Sequence, residues 1–174
     1  MTFPLNQLGV IRKFNGVNAI QARHYTHLHC ERYIEQIVDH HGWTKEFIKN
    51  KPVPLRSDSK YMTAIQLDEG PEDPMEAKQL EKRMGFNYRQ AIGEVIYALT
   101  ICRIDISPAV IMLSQHSARP AKIHYEAVKR LFAYLYATKK HGLTYWRPCA
   151  KEELPDIDHP DTHRLTEPFR KKNN

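Results

Sequence analysis

Residues 88–99 read YRQAIGEVIYAL, an amphipathic helical pattern with one glycine near its middle. Glycine inside a helix costs about 1 kcal/mol relative to alanine, so Gly93 implies that something comes close to the helix there. At roughly 100° per residue, the apolar side chains share one stripe, formed by Tyr88, Ile92, Val95, Leu99 and Cys102. A separate flank carries Arg89, Gly93, Tyr97 and Thr100. The pattern predicts a buried stripe and a distinct flank on one helix.

Helix-start and helix-stop residues predict further helices on both sides of this stretch. The first runs through PMEAKQLEKRMG, between Pro74 and Gly85, and residues 87–102 form the second. A Ser107-Pro108 pair, read as an N-cap and a first-turn proline, opens the third. Pro120 opens the fourth, with Lys139-Lys140-His141 near its end and Gly142 as its predicted C-cap.

The N-terminal part has a different pattern. Residues 8–29 are rich in β-branched and aromatic residues, which predicts short antiparallel strands. The reversal of the chain falls either at Asn15-Gly16 or within residues 22–25. Residues 30–43 then show helical spacing, with Gly42 as a stop. The sequence therefore predicts an α+β fold, in which an N-terminal antiparallel β-hairpin and a helix precede a mostly helical bundle.

Residues 49–74 contain four prolines and the acidic run LDEGPEDP. With few residues to anchor a core, this piece is predicted to be a flexible linker, and its acidity suggests a weak intramolecular competitor for a basic surface. The predicted boundaries are thus 1–48 for the hairpin and helix, 49–74 for the linker, 75–147 for the helical segment and 148–174 for a disordered tail. The tail carries Asp156, Asp158 and Asp161 without an element to hold them in register.

The net charge of +6 lies entirely within residues 86–148, which hold nine basic and three acidic residues. Such a segment is typical either of a surface that faces a polyanion or of a solvated helical face. The chain shows no apolar run of membrane-spanning length and no signal-peptide pattern. We therefore expect an intracellular protein, cytoplasmic or nuclear, that is neither secreted nor membrane-bound. Its three cysteines, Cys30, Cys102 and Cys149, predict no disulfide framework.

Candidates for catalysis or metal binding are few. No GxSxG, P-loop, GxGxxG or HExxH motif occurs in the sequence. The stretch HYTHLHC offers His24, His27, His29 and Cys30, but on a strand His24 does not share a face with the other two histidines. We therefore predict no preformed metal site and no catalytic residue.

The order of these residues resembles the reverse transcriptase of copia-type LTR retrotransposons, an RNA-directed DNA polymerase, over residues 8–147. The family pattern Tyr-Arg-x-x-hydrophobic-Gly-x-hydrophobic-x-Tyr is matched by residues 88–97. The continuation fits at Arg103, Asp105, Leu113-Ser114, Pro120, His124, Ala127 to Leu131, Tyr134-Leu135, Thr138, Gly142-Leu143 and Tyr145. Upstream matches are Leu8-Gly9, Phe14, Gly16, Leu28, Tyr33-Ile34 and Gly42-Trp43. The resemblance implies the end of a polymerase palm, followed by thumb and connection.

The resemblance also implies residue roles. The family's matching helix is similar to a thumb helix that follows the minor groove of an RNA–DNA template–primer. By this likeness Arg89, Gly93 and Tyr97 form a nucleic-acid track, and the basic pair Lys129-Arg130 adds to it. Phe14 and Gly16 take the position of a primer grip. The alternative, from the residues alone, is that Gly93 permits a close crossing of two helices inside the protein.

In this family, polymerisation needs palm aspartates that hold magnesium. No Tyr-x-Asp-Asp pair precedes Leu8, and no ribonuclease H segment follows Tyr145. We therefore expect no cofactor in this chain and no polymerase activity from it alone. Its expected partners are a template–primer and either a separately encoded palm or a second copy of itself. A different class of function stays open, a noncatalytic helical module for protein interaction.

Overall fold

The computed structural model describes residues 12–22, 24–43 and 53–146. The strands and helices, in chain order, are β1 (Lys13–Phe14), β2 (Val17–Gln21), β3 (Tyr25–His29), α1 (Glu31–His40), α2 (Ser59–Leu67), α3 (Pro74–Met84), α4 (Tyr88–Ile101), a 3-10 turn (Ile104–Ile106), α5 (Ser107–Ser114), α6 (Lys122–Ala137) and β4 (Gly142–Trp146). The predicted α+β class is confirmed. Residues 8–11, 49–52 and 147, and the predicted tail at 148–174 with its three aspartates, lie outside the described residues.

The four strands form one antiparallel sheet in the order β1-β2-β3-β4. Both predicted turn positions are used. Asn15 and Gly16 join β1 to β2 with positive φ values of 46° and 78°, as a two-residue hairpin turn requires. The second reversal joins β2 to β3, where the Ala22 amide donates to the Tyr25 carbonyl at 2.9 Å.

The predicted C-cap at Gly142 is wrong, because α6 ends at Ala137 and Gly142 begins β4. This strand pairs with β3, and Gly142 lies opposite His29. A Cβ atom at Gly142 would lie 1.9 Å from the Leu28 carbonyl oxygen. The glycine is therefore explained by close contact between two strands, and the prediction missed β4 altogether.

Other helix ends follow local chemistry. Asp73 caps α3 through the Met75 amide, and Gly85 ends it with a φ of 80°, as predicted. Asn87 caps α4, accepting a hydrogen bond from the Gln90 amide at 2.9 Å. Ser107 is not the predicted N-cap: the 3-10 turn runs directly into α5, so Ser107 is already the first helical residue.

Helix α2 lies inside the predicted linker and corrects that prediction for residues 59–67. Asp58 caps the helix through the Tyr61 amide, and Ile65 is fully buried. His124 holds the helix in place: its Nδ1 accepts from the Ala121 amide at 2.8 Å, so its Nε2 donates to the Ile65 carbonyl at 2.8 Å. One buried side chain and one buried imidazole thus dock α2 on α6.

The core forms where α1, α4, α5 and α6 meet. The predicted stripe of α4 faces it, with Tyr88, Ile92, Val95 and Cys102 buried and Leu99 half-buried. The Tyr88 hydroxyl donates to the Leu113 carbonyl on α5 at 2.8 Å. Arg103, fully buried after α4, pairs with Asp105 and donates to the Thr138 carbonyl at the end of α6. Among the described helices, none is long and apolar enough to cross a membrane.

Candidate nucleic-acid interface

Helix α4 turns its predicted flank to solvent. Arg89, Gly93, Tyr97 and Thr100 are all exposed, and Ile96 joins them with 39% of its surface exposed. We call these five residues the α4 face. A Cβ atom built at Gly93 meets no atom of the described residues within 4 Å. The crossing of helices that would have explained this glycine is therefore absent from the described part of the chain.

The β1–β2 turn lies at the α4 face. The Tyr97 hydroxyl donates to the Asn15 carbonyl at 2.9 Å, across 82 residues of sequence. A Cβ atom at Gly16 would lie 3.9 Å from the same hydroxyl, and the neighbouring Phe14 is 68% exposed. The structure thus brings the turn that carries Gly16 to Tyr97, which lies one helical turn after Gly93, and Phe14 adjoins that turn.

Tyr97 is held from its other side by Tyr33 of α1. The two rings lie 4.8 Å apart between centroids, and the Tyr33 hydroxyl donates to the Glu94 carbonyl at 3.0 Å. Burial raises the pKa of Tyr33, so this phenol remains a donor over the physiological range. The support from Tyr33 and the bond to Asn15 were not predicted, because no local pattern signals contacts over such separations.

The acidic side chain of α4 points away from the α4 face. Glu94 Oε2 lies 2.6 Å from His41 Nε2, and Gln90 donates to its other oxygen at 3.2 Å. Arg89 remains exposed and donates from Nε to the Ser117 carbonyl at 2.9 Å. The α4 face therefore carries a cation, a hydroxyl, an aromatic ring and a bare stretch of backbone, but no carboxylate.

Lys129 and Arg130 are not placed at the α4 face. Both lie on α6, which packs against the buried side of α4 through the ring contact of Tyr88 with Tyr125. Lys129 Nζ lies 5.6 Å from the centroid of the Phe86 ring. Arg130 lies near Tyr61 of α2, where its charge opposes the rise in the Tyr61 pKa that burial causes. A count of charges along the sequence does not reveal which surface of the fold each basic side chain occupies.

The histidines of β3 have structural contacts. His27 Nδ1 lies 2.8 Å from Thr144 Oγ1 on β4, and its Nε2 lies 3.1 Å from the Lys140 carbonyl oxygen. His24 is exposed. Across residues 12–22, 24–43 and 53–146, no group of three or more His, Cys, Asp or Glu side chains is arranged to hold a metal ion.

The chain is similar to several curated proteins. It is 37% identical over 60 residues to the secreted RxLR effector protein 161 of Plasmopara viticola, which covers 34% of this chain and 42% of that protein. It is 29% identical over 142 residues to the uncharacterized mitochondrial protein AtMg00810 of Arabidopsis thaliana, covering 82% of this chain and 52% of that protein. With the retrovirus-related Pol polyprotein from transposon TNT 1-94 of Nicotiana tabacum, it shares 28% identity over 142 residues, 79% of this chain and 10% of that protein.

The chain thus spans about half or less of the length of these relatives. No family model matches the chain, and no solved structure gives a significant match. The predicted relationship to retrotransposon polyproteins is confirmed: the chain is retrotransposon-derived and related to a segment of Pol.

Proposed function

We propose that this chain is a reverse transcriptase segment that binds an RNA–DNA template–primer through the α4 face and the β1–β2 turn. Its relationship to retrotransposon Pol polyproteins supports this class of function. In this proposal the chain contributes binding and orientation, while the carboxylates and magnesium for polymerisation belong to a palm outside it. The binding takes place inside the cell, in the cytoplasm or the nucleus.

The exposure of Gly93 is the observation that carries the proposal. A glycine at an interior helical position lowers helix stability, and in this chain no described element packs against it. Its conformation is helical, and its φ is not positive, so it does not serve a turn. Since no described residue fills the space beside Gly93, the proposal assigns that space to a partner that approaches the helix backbone closely.

The chemistry around Gly93 fits an A-like duplex. The minor groove of such a duplex is wide and shallow and displays 2′-hydroxyl groups, so a helix can lie in it with its backbone near the sugars. Arg89, one turn before Gly93, supplies a cation for phosphate. Tyr97, one turn after it, presents a ring that is 41% exposed, and Phe14 extends the apolar contact at the hairpin tip.

Binding of a fluorescent RNA–DNA hybrid by the full chain, followed by anisotropy, tests the proposal. Gly93→Val is expected to weaken binding about tenfold, because its side chain fills the space left for the duplex. The matched control is Gln66→Val, which places the same side chain on an exposed position of α2 and should bind as the wild type does.

Circular dichroism melts of the same variants separate binding from folding. Gly93→Val should melt close to the wild-type temperature, since nothing in the described structure meets the new side chain. A fall of roughly 5 °C or more, with normal hybrid binding by the folded fraction, would show that Gly93 serves internal packing instead. If the wild-type chain does not bind the RNA–DNA hybrid, the alternative function as a protein-interaction module is favoured.

A further inference from the structure

The acidic segment, residues 68–73 between α2 and α3, packs against the loop of residues 115–121 that precedes α6. The Gly70 amide donates to the Arg119 carbonyl at 2.9 Å, and Arg119 Nη2 donates back to the Gly70 carbonyl at 3.3 Å. Gly70 is buried, and a Cβ atom there would lie 2.5 Å from the Pro120 carbonyl oxygen. Only glycine permits this backbone contact, so the position of the acidic segment relative to Arg119 is specific.

Two carboxylates of this segment surround the Arg119 guanidinium. Arg119 Nη2 lies 3.1 Å from Glu69 Oε2 and 3.3 Å from Glu72 Oε1. The side chains of both glutamates are largely exposed, at 71% and 85%, and that of Arg119 is exposed at 42%. Ion pairs with this much exposure are weak and exchange readily, so another anion can replace the carboxylates.

Arg119 also lies beside the first turn of the α4 face. Arg89 donates to the carbonyl of Ser117, two residues before Arg119. A cavity of about 370 Å³ is lined by Arg89 and Arg119 together with Lys78 of α3. A duplex that lies along the α4 face and continues past the start of α4 therefore passes over this cavity.

We propose that Arg119 is a further phosphate-binding residue of this surface, and that Glu69 and Glu72 occupy its guanidinium until a nucleic-acid phosphate displaces them. This inference rests on the proposed function and adds to it a phosphate contact and an intramolecular competitor for that contact. An arginine binds carboxylate and phosphate with the same fork of N–H donors, so the exchange preserves its hydrogen bonds. The tethered glutamates compete for Arg119 at a fixed local concentration, which disfavours weak, non-specific ligands.

Hybrid binding by the full chain over a range of salt concentrations tests this exchange. Arg119→Gln should make the negative slope of log K against log salt shallower by about 0.8, the contribution of one phosphate contact. Glu69→Gln with Glu72→Gln should raise affinity roughly three- to tenfold at about 50 mM salt, because the Arg119 guanidinium then binds a phosphate without displacing a carboxylate. The matched control is Lys122→Gln, which breaks an exposed pair with Glu126 on α6 and should leave the slope unchanged.

Combining the variants isolates the exchange from a general effect of charge. In the Arg119→Gln background, the two glutamate substitutions should raise affinity less than twofold. An equal rise with and without Arg119, or an unchanged slope for Arg119→Gln, would overturn the inference while the α4 face keeps its function. If the wild type fails to bind hybrids, or if Gly93→Val binds normally, the proposed function fails first.

Discussion

Replacing Gly93 by alanine should stabilise the protein and weaken nucleic-acid binding at the same time. The position is the sixth of fourteen residues in α4, well inside the helix. A Cβ atom there meets nothing within 4 Å in the described structure, so the substitution causes no overlap. The stability gain is then the difference in helix propensity, about 0.5–1 kcal/mol. For a chain of 174 residues this corresponds to a rise in melting temperature of about 1–3 °C.

The same methyl group should lower hybrid affinity about threefold, less than the loss expected for valine, because it fills less of the space at the α4 face. The assay pairs a circular dichroism melt with anisotropy on one protein preparation. A melting temperature that falls by 2 °C or more would show that another part of the chain approaches Gly93. A rise in stability with unchanged affinity would refute the claim that nucleic acid approaches there.

Three further predictions concern the surroundings of the α4 face and the docking of α2. Tyr97→Phe removes the hydrogen bond that holds the hairpin turn, so it should weaken hybrid binding severalfold in the wild type. The same substitution should weaken binding much less in a Phe14→Ala background. Equal losses in both backgrounds would mean that the Tyr97 hydroxyl acts independently of the hairpin. Gly142→Ala should destabilise the chain by about 1–3 kcal/mol, because its Cβ atom overlaps a backbone carbonyl of β3. In the same melt this change in stability is opposite in sign to that of Gly93→Ala. An unchanged melting temperature would contradict the close pairing of β3 and β4. Burial lowers the pKa of His124 and the stacked His116 acts in the same direction, while the hydrogen bond to the Ile65 carbonyl and the charge of Asp68 oppose the shift. The contribution of neutral His124 to stability is therefore present above pH 6.5 and declines as pH falls below that value. Chemical denaturation from pH 7.5 to 5.5 should show a steeper loss of stability for the wild type than for His124→Gln, and parallel losses would exclude this role.

Local patterns predicted much of the helical segment. Pro74, Gly85 and the periodicity of α4 were informative because helix ends and apolar stripes depend on residues within one or two turns. The flank of α4 was predicted correctly for the same reason. Gly142 shows where such reasoning fails: a glycine after basic residues is typical of a helix end, but its role in β4 depends on pairing with a strand more than 110 residues earlier.

The candidate site was predicted as residue types but not as an arrangement. Tyr97 and Asn15 meet across the fold, and the bond between them brings the hairpin to α4. Helix α2 was missed because prolines and acids flank it, and it is docked by a buried imidazole from α6. Arg119 was only one of nine basic residues in its segment; its neighbours Glu69 and Glu72 distinguish it.

The salt dependence of hybrid binding by the unmodified chain tests the central claim most directly. If the α4 face and its basic surroundings contact several phosphates, log K should fall steeply and linearly with log salt, with a slope of about −2 or steeper. The chain should also bind an RNA–DNA hybrid more tightly than a DNA duplex of the same sequence. Absence of binding to the hybrid at about 50 mM salt, where such contacts are strong, would contradict the account.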